Sequence, residues 1–521
     1  MRLFLLLFVL ICAGPGAAAA PGRSHPFSIH DMLAMDRISD PQVSPDGNWV
    51  VFVVRETDLE ANKGRTDLWL VRADGTALTR LTSHPEGDSN PRWSADGKSV
   101  WFISGRSGSS QVWRIRIDGG EAQKVSDESL DVGNLVVSPD GEQIAFTMDV
   151  FPDANTPAET KDRLERIGKA KASGKIYERI FVRHWDTWMD GRRSHLFVMP
   201  AGGGKAIDVM HGMDADTPSK PFGGPEEISF TPDGEGIVFA ARDVGAEEPW
   251  STDFDLYLAP VDGSEPPKCL TQSNDAWDTN PVFSPDGKTL AYLAMSRPGY
   301  ESDRFRIILR CWPDGTERVL TEQWDRSPSS FCFSGDGQTI YATAGNTGQS
   351  SLFAVDVETG AVKVVVKEGS ISSPAVAGDG IIYCLNNLRS PAELYSVGPD
   401  GGDVRKITNI NSEKIAVARM GDYEQFTFAG WNDETVHCYL VKPVDFDPSR
   451  KYPVAFLIHG GPQGSFGNMF HYRWNPQAYA GAGYAAVMVD FHGSTGYGQA
   501  FTDSIRGDWG GKPLVDLQKG L

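Results

Sequence analysis

The sequence predicts an all-β seven-bladed β-propeller followed by the N-terminal part of an α/β-hydrolase domain. Three observations predict it. One turn tetrapeptide, Ser-Pro-Asp-Gly or a close variant, occurs seven times. Each copy is followed by a β-rich run, a second strand and a second glycine turn. Beyond about residue 420 that rhythm gives way to strands alternating with glycine-rich loops and helical stretches, which is α/β order.

The repeats set the architecture of the larger part. Ser44-Pro45-Asp46-Gly47 returns as Ser94–Gly97, Ser138–Gly141, Thr231–Gly234, Ser284–Gly287, Ser334–Gly337 and, more weakly, Ala377–Gly380. The aspartates recur every 43–53 residues, with one gap of 93. Asp-Gly supports a tight hairpin because both residues tolerate positive φ. The strands that follow are Val50–Val54, Val100–Ser104, Ile144–Met148, Ile237–Ala241, Thr289–Ala294, Thr339–Thr343 and Ile381–Leu385. A second strand then runs into a second turn, as Leu68–Val71 does into Asp74-Gly75. A short fourth strand closes each unit, as at Ala77–Leu81 and Pro267–Leu270. Four strands in about 45 residues is the signature of a propeller blade. The apolar runs are often continuous, as expected of sheets covered on both faces.

The long gap holds one further strand-turn unit, Leu196–Gly204, and an insertion at about residues 151–193. Its first half, Ala158–Ile180, is rich in Lys, Arg, Glu and Ala and predicts a helix. Its second half reads Arg183-His184-Trp185-Asp186-Thr187-Trp188-Met189-Asp190-Gly191. Two readings of this loop stand side by side. Its tryptophans pack the insertion onto the propeller rim, or the loop walls a substrate cavity. The second reading makes Arg183, His184, Trp185, Asp186 and Trp188 candidate substrate-binding residues.

In the last hundred residues, Phe426–Phe428 and Val436–Val441 predict a hairpin over Asn432-Asp433. Val454–Ile458 and Ala485–Phe491 read as buried strands. Helices are predicted at about Tyr472–Ala480 and from Leu514. The domain reading is a signal peptide over 1–20, the propeller over 21–420 and a partial hydrolase domain over 421–521. A single-core α/β domain needs roughly 200 residues, so this part is short.

Each buried strand ends in glycines: His459-Gly460-Gly461-Pro462 and Gly493-Ser494-Thr495-Gly496-Tyr497-Gly498. Acyl transfer needs preorganised N–H groups to hold the oxyanion of a tetrahedral intermediate. Glycines turn their amides to a substrate without side-chain obstruction. Gly461, then Gly460, are the candidate oxyanion donors. No serine of the 521 stands in a G-x-S-x-G turn. This fold orders its triad Ser, Asp, His along the chain. The triad is therefore expected beyond Leu521, and this stretch by itself is expected to be inactive.

Composition excludes other classes. A net charge of −20 opposes binding to nucleic acid or to an anionic membrane surface. It suits solubility, or a cavity that attracts cationic peptide N-termini. Arg2, the apolar run Leu3–Ile11 and the alanines at 17–20 form a secretory signal, so the mature protein is expected in the periplasm or outside the cell. No later run is long enough to span a bilayer. Five cysteines remain after cleavage, with no C-x-x-C pair, and no H-E-x-x-H occurs. No metal or cofactor is expected.

The S-P-D-G repeats, His459–Pro462, Gly493–Gly498 and Asp508-Trp509-Gly510-Gly511 together resemble the prolyl oligopeptidase family of serine peptidases. Within it the chain is most similar to the acylaminoacyl-peptidase and dipeptidyl-peptidase 5-type branch. The resemblance implies a propeller that admits short peptides to a Ser-His-Asp centre. It implies removal of dipeptides or acyl-amino acids from peptide N-termini. The alternative is an exported propeller that binds proteins without catalysis.

A substrate ammonium would need a carboxylate, and Asp186, Asp190, Glu226, Glu227, Glu247 and Glu248 are available.

Overall fold

The computed structural model describes residues 24–521; the predicted signal segment lies outside the described residues. The repeats form five separate four-stranded sheets and one eight-stranded sheet. The eight-stranded sheet is two four-stranded sets joined by a single parallel bridge, Ser350 to Ser370. In the first sheet, Arg37–Val43, Trp49–Asp58, Lys63–Arg72 and Thr79–Arg80 pair antiparallel in chain order. Its inner strand, Trp49–Asp58, carries Val50–Val54, all buried. Neighbouring sheets bury such runs against each other: Val51, Val53 and Leu70 pack with Trp93, Val100 and Phe102. The first sheet also packs on the last, through Ile38, Phe52 and Val54 against Ile382, Cys384 and Leu394.

The recurring tetrapeptide has a local cause. Ser44 Oγ donates to Asp46 at 2.5 Å, and the Trp49 N–H donates to Ser44 Oγ at 2.9 Å. The Asn48 N–H donates to the same aspartate, and Gly47 takes φ +73°. The hydroxyl–aspartate bond repeats at Ser94, Ser138, Thr231, Ser284 and Ser334, over 2.5–2.7 Å. Each turn thus satisfies its own polar groups while the strands beside it go into the core.

Two sheets carry a buried aspartate in their first strand, and only one of these is paired with an arginine. Asp88 opens the first strand of the second sheet opposite Ser104, fully buried, with Arg106 clamped on both its oxygens at 2.8 and 2.7 Å. Asp278 holds the same register opposite Ala294, also fully buried. The matching position past that strand is Ser296, so no arginine reaches it. Asn274 donates to one oxygen at 2.8 Å and the other is unpartnered. Burial, with the charges of Asp255 and Glu317, pushes the Asp278 carboxyl up to about 8 against that hydrogen bond. The folded state keeps a proton that the unfolded chain has lost above about pH 4, so stability falls as pH rises toward 8. Asp278→Asn is expected to leave the melting temperature near pH 4–5 unchanged, raise it at pH 8–9 and flatten the pH dependence between, read by thermal melts across that range.

The insertion holds a helix over Pro157–Gly168, capped by Thr156 with proline at its first turn. It stops well short of the predicted Ile180, because Gly168 and Ser173-Gly174 weaken helix propagation. Arg183–His184 and Thr187–Trp188 form a small hairpin, with Trp185 at φ +51°.

The last part builds one sheet in the order Tyr423–Ala429, Thr435–Val441, Ala485–Asp490, Val454–Leu457. The last two strands are parallel, and Val454–Leu457 is an edge. The predicted helix from Tyr472 begins instead at Pro476, where Asn475 caps it and proline fixes the first turn. The final helix spans Lys512–Gly520. The start of the described chain also lies here: Phe27, Met32 and Met35 pack with Ala418 and Phe470, and His25–Pro26 pairs with Ala418–Arg419. These residues fall inside the range read from sequence as propeller.

The two parts meet on a seam of glycines. The Asn468 N–H donates to Gly348 O at 2.7 Å, and the Thr347 N–H to Gly496 O at 2.9 Å. A Cβ on Gly467 would lie 2.4 Å from Gly348 O, so the backbones touch directly. The five cysteines are free; Cys384 and Cys438 are buried and Cys311 is exposed. Among the described residues no helix is long and apolar enough to cross a membrane.

Candidate active site

The two glycine segments sit at the carboxyl ends of the paired parallel strands, Val454–Leu457 and Ala485–Asp490. That is where open α/β sheets place their sites. His459 ties the two together. Its Nδ1 lies 2.9 Å from Gly460 O, which can only accept, so Nδ1 carries the proton. Nε2 then accepts from Ser494 Oγ at 2.8 Å, and the ring stacks on Phe491 at 4.3 Å.

This fixes the peptide that matters. The Gly460 carbonyl is turned back to the buried imidazole. The Gly460–Gly461 bond is trans, so the Gly461 N–H points the opposite way. Among the described residues it meets no acceptor. Gly461 holds φ +130°, and a Cβ there would lie 2.7 Å from Gln463 N and 2.9 Å from its carbonyl oxygen. Only glycine fits.

Asp490, buried at the end of its strand, braces the same loops. It accepts from Ser465 Oγ at 2.6 Å, the Phe466 N–H at 3.1 Å and Tyr497 OH at 2.7 Å. Burial and this carboxylate push the Tyr497 phenol far up, so it stays a donor. One aspartate thereby joins the loop after the first strand to the Gly-Tyr-Gly of the second.

His459, Ser494 and Asp490 look superficially like a triad. The geometry excludes it. The carboxylate approaches Nε2, at 3.8 Å, the nitrogen already bonded to the hydroxyl, whereas an orienting carboxylate must hold the opposite nitrogen. Ser494 is also fully buried. His492 lies between Asp516 at 2.6 Å and Glu434 at 3.1 Å. Burial lowers its basicity, but the two carboxylates outweigh that and raise it. It holds the last helix to the sheet. His471 Nδ1 accepts from the Arg473 and Trp474 amides.

A cavity of about 1230 Å³ opens between the two parts of the chain. Gly461 and Gln463 line one side, with Arg506 and Trp509. Phe181, His184 and Trp185 of the insertion line another. Trp250, Phe254, Trp277 and Tyr300, from loops of the fourth and fifth sheets, line a third, with Lys220, Arg242 and Glu301 also on the wall. A smaller cavity of about 310 Å³ adjoins it, sharing Phe181, His184, Lys220, Arg242 and Phe254, and adding Trp188, Asp190 and Glu248. Neither cavity is lined by Arg183, Asp186 or Gly460. Arg183 lies over Trp188, 5.8 Å from its ring centre. Of the other carboxylates, Glu227 is buried on Ser219, Glu226 faces a separate shallow pocket and Glu247 is exposed away from both cavities.

Trp250, Tyr300, Arg506 and Trp509 carried no sequence signal as a set. The first and last of them stand 259 residues apart along the chain, and the set meets only through the fold.

Comparison with known proteins fits this geometry. Residues 34–155 match the TolB beta propeller domain, and residues 470–521 match the prolyl oligopeptidase family. The chain is 29% identical over 492 residues to dipeptidyl-peptidase 5 of Porphyromonas gingivalis, covering 93% of this chain and 70% of that protein. It is 31% identical over 495 residues to dipeptidyl-peptidase 5 of Porphyromonas endodontalis, with the same coverage. An acylaminoacyl peptidase solved with Z-Gly-Gly-Phe-chloromethyl ketone superposes with a TM-score of 0.75 at 21% identity, over 95% of this chain and 72% of that one, which shows a shared fold. With a relative at 31% identity over most of both chains, this chain belongs to the prolyl oligopeptidase family of peptidases.

Proposed function

We propose that this chain supplies the substrate chamber and the oxyanion donor of a serine peptidase that removes dipeptides from the N-termini of short peptides. One observation carries the reading. Gly461, with its N–H turned away from His459, lines the same cavity as His184 and Trp185 of the propeller insertion. A peptide held among those aromatic rings therefore has a backbone donor within the same chamber. Rings of this size contribute apolar contact area at low entropic cost. Glu301, on the cavity wall without an ion pair among the described residues, is suited to hold the substrate's α-ammonium. The dipeptidyl-peptidase 5 relatives support the mode of cleavage.

In this reading the repeat sheets are seven blades closed into a ring, supported by the packing of the first on the last. Residues 1–20 direct export. The nucleophile stands in a serine elbow after a further parallel strand, which pairs with the open edge of Val454–Leu457, where Val454 and Ile458 are exposed. The test is product analysis by mass spectrometry with the peptide Leu-Ala-Ala-Phe. The product of the complete reading frame is expected to release Leu-Ala, and the 521-residue polypeptide to release nothing. Turnover by the 521 residues alone, or release of single amino acids by the complete product, contradicts the reading.

A further inference from the structure

Two arginines compete for one glutamate at the junction of the two cavities. Arg193 is buried and makes four hydrogen bonds to three carboxylates. Its Nε donates to Asp214 at 2.8 Å, its Nη1 to Asp216 and Glu248 at 2.9 Å each, and its Nη2 to Glu248 at 2.7 Å. Arg242 is left with what remains. Its Nη1 donates to Ser251 O at 2.7 Å. Its Nη2 stands 3.9 Å from Glu248, too far for a hydrogen bond. Its Nε is buried and unpartnered. The guanidinium carbon lies 4.7 Å from the ring centre of Phe254.

A largely buried guanidinium whose Nε has no partner is costly for the fold. Burial lowers its basicity, and Glu248 and Glu301 recover only part of that. The neighbouring cations show that partners are at hand in this region. Lys220 reaches Asp149 and Asp216, both at 3.0 Å, and Arg192 reaches Asp190 at 2.8 Å. Arg242 alone of these four has a buried nitrogen without a partner, and it and Lys220 line both cavities. Strain kept at a cavity wall is the mark of a group whose partner arrives with the ligand.

We propose that Arg242 is a specificity-determining residue that donates its idle N–H groups to an acceptor oxygen of the peptide in the chamber. The inference rests on the proposed peptide chamber. The acceptor is a backbone carbonyl or the carboxylate of an acidic side chain, since both present an oxygen to the same fork. Recognition in the chamber is then shared between the hydrolase loops and the propeller wall.

The test is isothermal titration of the 521-residue chain, wild type and Arg242→Met, with two amidated peptides. Leu-Ala-Ala-Phe amide offers only carbonyls, and Leu-Glu-Ala-Phe amide adds one carboxylate. Both are run beside thermal melts. The expected result is a Kd at least tenfold weaker in Arg242→Met with a melting temperature unchanged or raised, because the variant loses an under-paired buried cation. Weakening with both peptides assigns the carbonyl, and weakening with the acidic peptide alone assigns the carboxylate. Equal affinities of wild type and variant for both peptides overturn the inference and leave the chamber standing. Weaker binding together with a lowered melting temperature also overturns it, since the arginine would then serve the wall. Failure of the wild type to bind either peptide removes the chamber reading and this inference with it.

Discussion

Replacing Gly461 with alanine in the product of the complete reading frame is expected to lower kcat by about 10²–10³, with a much smaller change in KM. The effect has two sources. At φ +130° an added Cβ meets Gln463 N at 2.7 Å and its carbonyl oxygen at 2.9 Å, so the peptide must rotate. On the proposed reading, rotation takes the Gly461 N–H away from the oxyanion's place, while the aromatic walls of the cavity are untouched. Steady-state kinetics separates the two parameters, and a thermal melt shows whether the variant is folded. A drop confined to KM would place Gly461 in ground-state binding instead.

Asp490→Ala is expected to be among the most damaging single changes in the hydrolase part. It removes one acceptor from three buried or half-buried donors: Ser465 Oγ, the Phe466 N–H and Tyr497 OH. Each donor left unpaired costs about 1–3 kcal/mol, so a loss of about 3 kcal/mol or more is expected in urea unfolding of this part. The variant should also lose the register between the two glycine segments, which lowers activity beyond what unfolding explains. Asp490→Asn keeps an acceptor for one or two of the donors and should fall between. An Asp490→Ala protein as stable as the wild type would show that the brace is incidental.

How far the sequence revealed this depends on the range of the interactions involved. The Ser-Pro-Asp-Gly turns were legible because they close on themselves: hydroxyl, aspartate and glycine lie within six residues. The glycine segments were legible for the same reason, and Gly461 emerged with its positive φ. Helix limits were less so. The helix expected to reach Ile180 stops at Gly168, and the one expected from Tyr472 waits for the Asn475-Pro476 cap. In both, glycine, serine or proline outweighed the average propensity of the run.

The chamber was only half legible. His184 and Trp185 stand in a dense local motif, but Arg183 and Asp186 of the same motif line neither cavity. The hairpin's tight turn puts neighbours His184 and Trp185 on the cavity together, with Trp185 at positive φ, and no sequence periodicity foretells that choice. Tyr300, Trp250 and Trp509 reach the chamber from separate loops, which no local pattern foretells. Asp278 becomes visible only when one repeat is laid on another and the missing arginine is noticed.

The most direct test of the account is covalent labelling. The product of the complete reading frame is treated with diisopropyl fluorophosphate, and the modified residue is mapped by peptide mass spectrometry. The account predicts one adduct, on a serine of a G-x-S-x-G turn beyond residue 521, and its loss when a peptide occupies the chamber. An adduct on Ser494 or any other serine of these 521 residues, no adduct at all, or a reading frame that closes at codon 521 would contradict it.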